Sequence, residues 1–308
     1  MRIAILGATS QIARDLIQSF AADNEHQLIL LARSPEKLTT WLNEFELNDR
    51  YEVGKPDQLA RLHNIDAIIN FVGSGNPTRT LSMGAPIFEV TYEFDSLALS
   101  YVLRYPSCKY IFLSSGAALG DIFSEPASDL SCAQFPLNNL EPQHWYGFAK
   151  AHAECRHRAY KEFAIVDLRI FAYCSHTQDI AARFFFTDIV RAIKHAEVLK
   201  VTSEQMIRDY ITPPDFYSLI HCLLAHEPAN LAIDCFSKNP VSKMDLLEAL
   251  EKNYALKYEV MTDIKTINAT GAKSKYYSTS KKGELFGYSP KFGSLDGILY
   301  QLNQIVSR

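Results

Sequence analysis

The chain has little with which to cross a membrane, bind nucleic acid or hold a metal. No apolar run approaches the ~20 residues that a membrane span needs. Basic residues do not dominate: 31 Lys and Arg stand against 35 Asp and Glu, a formal net charge of −4. That balance gives no electrostatic footprint for nucleic acid or an anionic membrane, so an anionic substrate must meet a local basic group. The six cysteines (108, 132, 155, 174, 222 and 235) form no CxxC pair and show no His/Cys metal spacing. They are expected as buried or half-buried free thiols in a reducing compartment. Met1–Leu6 runs straight into a glycine turn, without a charged region followed by a long apolar stretch. The expectation is a cytoplasmic protein with no signal peptide and no membrane contact.

What is present is a long, well-mixed chain. Its 308 residues suggest about two domains, or one with a large appendage. Hydrophobic residues make up 47% and charged residues 21%, which suits a substantial core. Short apolar runs at residues 2–6, 28–32, 66–72, 110–114 and 165–170, with a weaker one at 51–53, alternate with helical patterns. The helices are expected at 12–22, 35–45, 90–104 and 145–163. Strands separated by helices of this length mean βαβ units and a parallel sheet, buried on both faces and hence continuously apolar. After Phe171 the rhythm changes. Helices are expected at 180–195, 215–225, 243–254 and 295–306, with a strand at 232–236. The Phe184–Phe186 run reads as core.

Five motifs carry chemistry. The turn Gly7-Ala8-Thr9-Ser10-Gln11-Ile12-Ala13 follows the first strand and opens a helix, where a dinucleotide fold holds pyrophosphate. It reads Gly-x-x-Ser-x-x-Ala, and Ser10 is available to a phosphate. At the end of the second strand stands Ala32-Arg33-Ser34, with no acid before Glu36. An acid there would accept from a ribose 2′-hydroxyl; Arg33 and Ser34, with Lys37, suit a 2′-phosphate instead. Tyr146 and Lys150 are i,i+4 on one helix, and a neighbouring ammonium is expected to lower the phenol from ~10 toward a working range. Ser114 and Ser115 end a buried strand, where ligands of open parallel sheets bind. Arg208, in Arg208-Asp209-Tyr210-Ile211, is able to grip a phosphate bidentately. The bland alternatives are, in turn, an ordinary strand–turn–helix, a solvated arginine, a surface helix pair, a capping turn and a salt-bridged loop. The irregular stretch 121–144 lies between two of these candidates, and loops of that length are usually functional.

In this order the motifs resemble the extended short-chain dehydrogenase/reductases, the group that contains nucleotide-sugar epimerases, dehydratases and reductases. GATSQIA matches the cofactor turn, DAIINFVG the strand beside the cofactor, YIFLSSGAALG the serine strand and YGFAK the catalytic pair. VDLRIFAY, RDYITPPDF and the closing KKGELFGYSPKFGSLDGI follow in family order. The resemblance implies a Rossmann-type doubly wound α/β sheet with a smaller C-terminal substrate-binding domain. Residues 1–171 would bind NADP(H), with a return segment near 207–236, and residues 172–308 would mainly bind substrate.

It further implies that Ser115, counted back from Gly120, is the catalytic serine, Tyr146 the acid/base and Lys150 the ribose ligand. Gly7, Thr9, Ser10, Gln11, Ile12, Arg33, Ser34, Phe71, Val72 and Gly73 would bind cofactor with Tyr146 and Lys150. Arg208 would contact the substrate's nucleotide phosphate, and His176 follows the substrate-side strand as a further substrate contact. His152 and His157 are expected on the solvent side of the catalytic helix. Ser10 and Ala13 replace two turn glycines, Lys55 an adenine-contacting aspartate, Ala172 an asparagine and Leu119 an aromatic residue of the family pattern.

The implied activity is reduction of a nucleotide-linked 4-keto-6-deoxy sugar by NADPH. The chain is short for a family epimerase, and its Arg33 strand end suits net reduction. An epimerase or dehydratase on the same substrates is the alternative. A non-catalytic NADP-binding regulator is a third reading, opposed by the intact Ser–Tyr–Lys group. A homodimer through the helices at 90–104 and 145–163 is implied by the resemblance.

Overall fold

The computed structural model describes residues 1–47, 49–73, 82–261 and 273–306. The first half alternates strand and helix: β1 (Arg2–Leu6), α1 (Gln11–Asp23), β2 (Gln27–Leu31), α2 (Pro35–Glu44), β3 (Glu52–Gly54), β4 (Ala67–Asn70), α3 (Pro86–Arg104), β5 (Lys109–Ser115), α4 (Pro142–Ala159) and β6 (Ile165–Ile170). After it come β7 (Ala172–Tyr173), α5 (Phe185–His195), β8 (Val198–Thr202), β9 (Ile207–Arg208), β10 (Tyr210–Ile211), α6 (Pro213–Ala225) and β11 (Leu231–Asp234). The chain closes with β12 (Val241–Ser242), α7 (Lys243–Tyr254), β13 (Lys257–Met261), β14 (Lys275–Tyr276) and α8 (Ser294–Val306).

Seven strands form one parallel sheet in the order β11-β6-β5-β4-β1-β2-β3. This is a Rossmann-type α/β fold. The strand order reverses between β1 and β4, and the crevice beyond their carboxyl ends is where such sheets bind ligands. Alternation within the strands explains both faces. Ile3, Ile5, Leu28, Leu30 and Ile69 pack against Ala13, Leu16, Ile17 and Phe20 of α1 and Phe216, Leu219 and Ile220 of α6. Ala4, Leu6, Ile29, Leu31, Ile68 and Phe112 pack against Ala98, Leu99 and Val102 of α3 and Ala153 of α4. Each fully buried large side chain contributes roughly 1.5–3 kcal/mol of transfer free energy, so the sheet dominates the core.

A third cluster, with Phe186, Ile189, Val190, Leu246, Leu250, Ile298 and Leu302, builds the C-terminal part. Phe186 is core there, with Phe185 packed beside it. α5 starts at Phe185, five residues later than the periodicity predicts, because residues 180–184 form a turn that Arg191 and Thr187 hold through the Ile180, Ala182 and Phe184 carbonyls. β8 and β13 pair in parallel as a separate two-stranded sheet. The cysteines are free, but Cys132 and Cys155 are exposed, against the expectation of burial. Among the described residues no helix is long and apolar enough to cross a membrane, and no His/Cys/Asp/Glu group could hold a metal.

Candidate active site

The turn after β1 packs closely against the end of β4. Gly7 adopts φ +73°, in the left-handed region that favours glycine. A Cβ there would stand 3.0 Å from the Phe71 carbonyl carbon and the Val72 nitrogen. Its N–H and that of Ala8 both donate to the Leu31 carbonyl, at 2.9 and 3.2 Å, which fixes the turn against β2. Ser10 caps α1, accepting from the Ala13 N–H at 3.4 Å, which leaves the hydroxyl proton free to donate. Gln11 turns its amide to Asp15 and Thr177.

Beyond β2, Ala32 donates to the Gly54 carbonyl at 3.0 Å. Arg33 and Lys37 are exposed. Neither has an ion pair or hydrogen bond among the described residues. Ser34 stands at the N-cap of α2 without making a side-chain cap bond. The two cations and the hydroxyl therefore remain available at the strand end. Lys55 is exposed, and only its backbone is engaged, donating to Gln58 Oε1 at 3.1 Å.

At the end of β5 the two serines part, as successive strand residues must. Ser114 donates to Glu154 Oε1 at 2.5 Å and belongs to a buried cluster with Arg169 and Asp234. Ser115 points the other way. It caps the short 3₁₀ turn Gly116–Leu119, accepting from the Ala117 N–H at 3.2 Å, and lies 3.2 Å from the Tyr276 hydroxyl. α4 brings Tyr146 and Lys150 to the same place. The Lys150 ammonium donates to the Leu113 carbonyl at 2.7 Å and the Val72 carbonyl at 3.4 Å, tying the ends of β4 and β5 together. A Cβ on Gly73 would stand 3.2 Å from that ammonium.

The electrostatics correct the expectation for this pair. Burial pushes the Tyr146 phenol up to about 12, and the Ser115 hydroxyl opposes that shift. The Lys150 ammonium lies 6.0 Å from the Tyr146 ring centre and does not bring the phenol down. Burial in turn lowers Lys150 to about 8, against the attraction of Asp95, Glu154 and Asp167. In the free protein Tyr146 is thus a protonated donor at neutral pH.

His157 is another correction. It is fully buried, not solvent-facing: its Nδ1 meets Asp167 at 2.5 Å and its Nε2 meets Asp95 at 2.6 Å. Burial disfavours its charge, but the two aspartates outweigh burial and hold it at about 9. Tyr110 donates to the same Asp95, and Arg156 and Arg158 complete the network behind Lys150. His152 is exposed as expected.

At the end of β9, Arg208 is half-buried with its guanidinium 5.4 Å from the Tyr276 ring centre. Its Nη1 donates to the Ile207 carbonyl at 2.9 Å, and it has no carboxylate partner among the described residues. Burial lowers its pKa from the ordinary arginine value. Lys273 lies 4.8 Å from the same ring, and burial lowers it to about 8. Tyr276 and Lys273 were not singled out by the sequence, because they sit in a polar segment without periodicity. His176 stands apart from this group. Its N–H and Nδ1 both meet Gln301 Oε1, at 2.8 and 2.9 Å, and it lines a cavity with Asp15, Gln18, Pro213 and Tyr300. Neither Ser115, Tyr146 nor Arg208 lines that cavity.

The sequence model of the NAD dependent epimerase/dehydratase family matches residues 3–234. No curated protein matches the chain. Among solved structures, UDP-glucuronic acid 4-epimerase from Bacillus cereus, in complex with UDP-glucuronic acid and NAD, is 20% identical with a TM-score of 0.80, covering 100% of this chain and 99% of that one. UDP-glucose 4-epimerase from Thermotoga maritima, with UDP-glucose, is 16% identical with a TM-score of 0.79, covering 100% and 99%. dTDP-glucose 4,6-dehydratase from Bacillus anthracis, in complex with NAD, is 16% identical with a TM-score of 0.77, covering 100% and 97%. Such identities speak for the fold. They also remove one argument from length: this chain spans 99% of an epimerase, so it is not short for one.

Proposed function

Since the chain belongs to the NAD dependent epimerase/dehydratase family, we propose that it is an NADP-dependent oxidoreductase that reduces a nucleotide-linked 4-keto-6-deoxy sugar. The observation that carries this reading is the meeting of Ser115, Tyr146 and Lys150 at the end of β5, beside the Gly7 turn.

The residues present fit a dinucleotide. Gly7 takes the left-handed turn and lets it pack against the Phe71–Val72 backbone, where a Cβ would stand 3.0 Å away, and the N-terminus of α1 lies directly after it. Gly7, Thr9, Ser10, Gln11 and Ile12 would line the pyrophosphate through their backbone, with Phe71, Val72 and Gly73 along the nicotinamide half. Arg33, Ser34 and Lys37 would hold a 2′-phosphate. When bound, NADPH supplies the hydride. Tyr146, protonated at neutral pH, gives its proton to the reacting carbonyl oxygen. Ser115 hydrogen-bonds that same oxygen. Lys150 holds the nicotinamide ribose, where a ligand hydroxyl adds to the two carbonyls that now receive its ammonium. Arg208 holds a phosphate of the nucleotide, and His176, held by Gln301, is a further substrate contact. Dimerisation through α3 and α4 is part of the same proposal.

A second reading, epimerase or dehydratase, is favoured by the activities named for the similar structures. NADPH oxidation with a panel of nucleotide-linked 4-keto-6-deoxyhexoses separates the two. Stoichiometric oxidation supports the reductase, and sugar interconversion without net change in NADPH supports the second reading. If no sugar reacts and no nucleotide competes at Arg208, the nucleotide-sugar assignment fails.

A further inference from the structure

We propose that Tyr276, delivered by the C-terminal segment, is a positioning residue that aims the Ser115 proton at the reacting oxygen. The inference rests on the role of Ser115 proposed above.

A serine hydroxyl has one proton and two acceptor positions. In this structure both acceptor positions have a donor at hand. The Ala117 N–H occupies one at 3.2 Å, and the Tyr276 hydroxyl lies 3.2 Å from the same oxygen, where the geometry lets either hydroxyl donate. Of the two hydroxyls, the phenol is the stronger acid and so the better donor. It is also a group that stays protonated, because burial raises its pKa well above the ordinary tyrosine value. With Tyr276 donating, the serine's own proton is left for a third partner on the Tyr146 side. Without Tyr276, that proton is free to rotate among competing acceptors.

The tyrosine is held for this task. It stands opposite Arg208 in the parallel pairing of β14 with β9, which fixes the phenol beside the arginine. Its ring is 7% exposed and packs edge-on against Phe123 at 4.7 Å and Phe171 at 5.2 Å. Phe171 in turn lies where a Cβ on Gly116 would collide at 2.5 Å, which locks the serine's own turn onto the same aromatic wall. Arg208 and Lys273 both stand against the Tyr276 ring, and the nearby positive charge makes the phenol a stronger hydrogen-bond donor.

A double-mutant cycle between Tyr276→Phe and Ser115→Ala tests this. The first readout is single-turnover hydride transfer from NADPH to dTDP-4-keto-6-deoxyglucose, with NADPH affinity measured alongside. Tyr276→Phe should slow transfer about three- to tenfold, the worth of one hydrogen bond, with NADPH affinity unchanged. In the Ser115→Ala background the same change should matter less than about twofold, since the residue acts only through the serine. An equal loss in both backgrounds, or no loss in the first, overturns the proposal. The second readout needs no substrate: the melting-temperature losses of the two single variants should sum to more than the loss of the double variant. If the wild type transfers no hydride to this sugar, the substrate reading falls and the melting cycle alone decides, with additive losses overturning the Tyr276 role.

Discussion

Gly147 lies so close to the Ala117 carbonyl that a Cβ on it would stand 2.3 Å from the oxygen. The contact is with backbone, so it cannot be relieved by swinging a flexible side chain. It is what lets α4 press onto the turn that Ser115 caps, and so what brings Tyr146 to Ser115. Gly147→Ala should therefore push the two apart. Turnover should fall at least about tenfold, because misplacement of this order is costly to a preorganised site. The variant should remain folded with a modest loss in melting temperature. Unchanged turnover would show that the close packing is not needed.

The buried His157 predicts a pH dependence of stability. Its pKa is raised from the usual 6.5 to about 9, so the folded state holds its proton more tightly than the unfolded state. The stabilisation is fully present below about pH 6.5 and is lost as pH rises through about 9. Lys150 has the opposite sign. Its pKa is lowered to about 8, so stability recovers between there and the unfolded value of 10.5 as the buried charge is released. Thermal melts of the cofactor-free protein should fall from pH 6.5 to 8 and flatten above it. Because Lys273 is likewise lowered to about 8, Lys150→Met combined with Lys273→Met should expose the His157 decline up to pH 9. A flat profile in that variant would contradict the charged His157.

Much of this was legible in the sequence, for a definite reason. Parallel strands are covered on both faces, so β1, β2, β4 and β5 announce themselves as apolar runs, and Tyr146 and Lys150 reach one place through spacing on a single helix. Other features depend on partners far along the chain. His157 looks solvent-facing on α4 alone, yet Asp95 on α3 and Asp167 on β6 enclose it. Tyr276 pairs with Arg208 across a segment with no helical or strand period. β8 and β13 are short and half-exposed, and each is a strand only because the other is there. The lowered Tyr146 pKa expected from a neighbouring lysine failed because spacing predicts proximity, while burial of both groups decides the sign.

On the proposed reading, cofactor choice turns on Arg33. A charge-assisted hydrogen bond to a 2′-phosphate is worth about 1.5–3 kcal/mol. Arg33→Ala should weaken NADPH binding about ten- to a hundredfold and leave NADH nearly unchanged, as read by fluorescence titration. Tighter binding of NADH than NADPH by the wild type would contradict the assignment of the β2 end.

With Arg208 proposed on the nucleotide of the substrate, its loss should separate substrate from cofactor. Arg208→Ala should raise the Michaelis constant for the nucleotide-linked sugar at least about tenfold, the loss expected when a charged hydrogen-bond partner is removed. NADPH affinity should change little. An equal effect on both would place the arginine in the cofactor site instead.

The central claim is net reduction in which Tyr146 supplies the proton, and deuterium transfer tests it most directly. NADPH deuterated at the reactive face of its nicotinamide C4 is incubated with a nucleotide-linked 4-keto-6-deoxyhexose, and the product is examined by mass spectrometry and NMR. The wild type should place one deuterium on sugar C4 for each NADPH oxidised. Tyr146→Phe, with its fold and cofactor binding retained, should slow that transfer by the ~10²–10⁴-fold typical of losing a general acid. Sugar interconversion with no deuterium taken from the added NADPH, or near-normal transfer by Tyr146→Phe, would contradict the account.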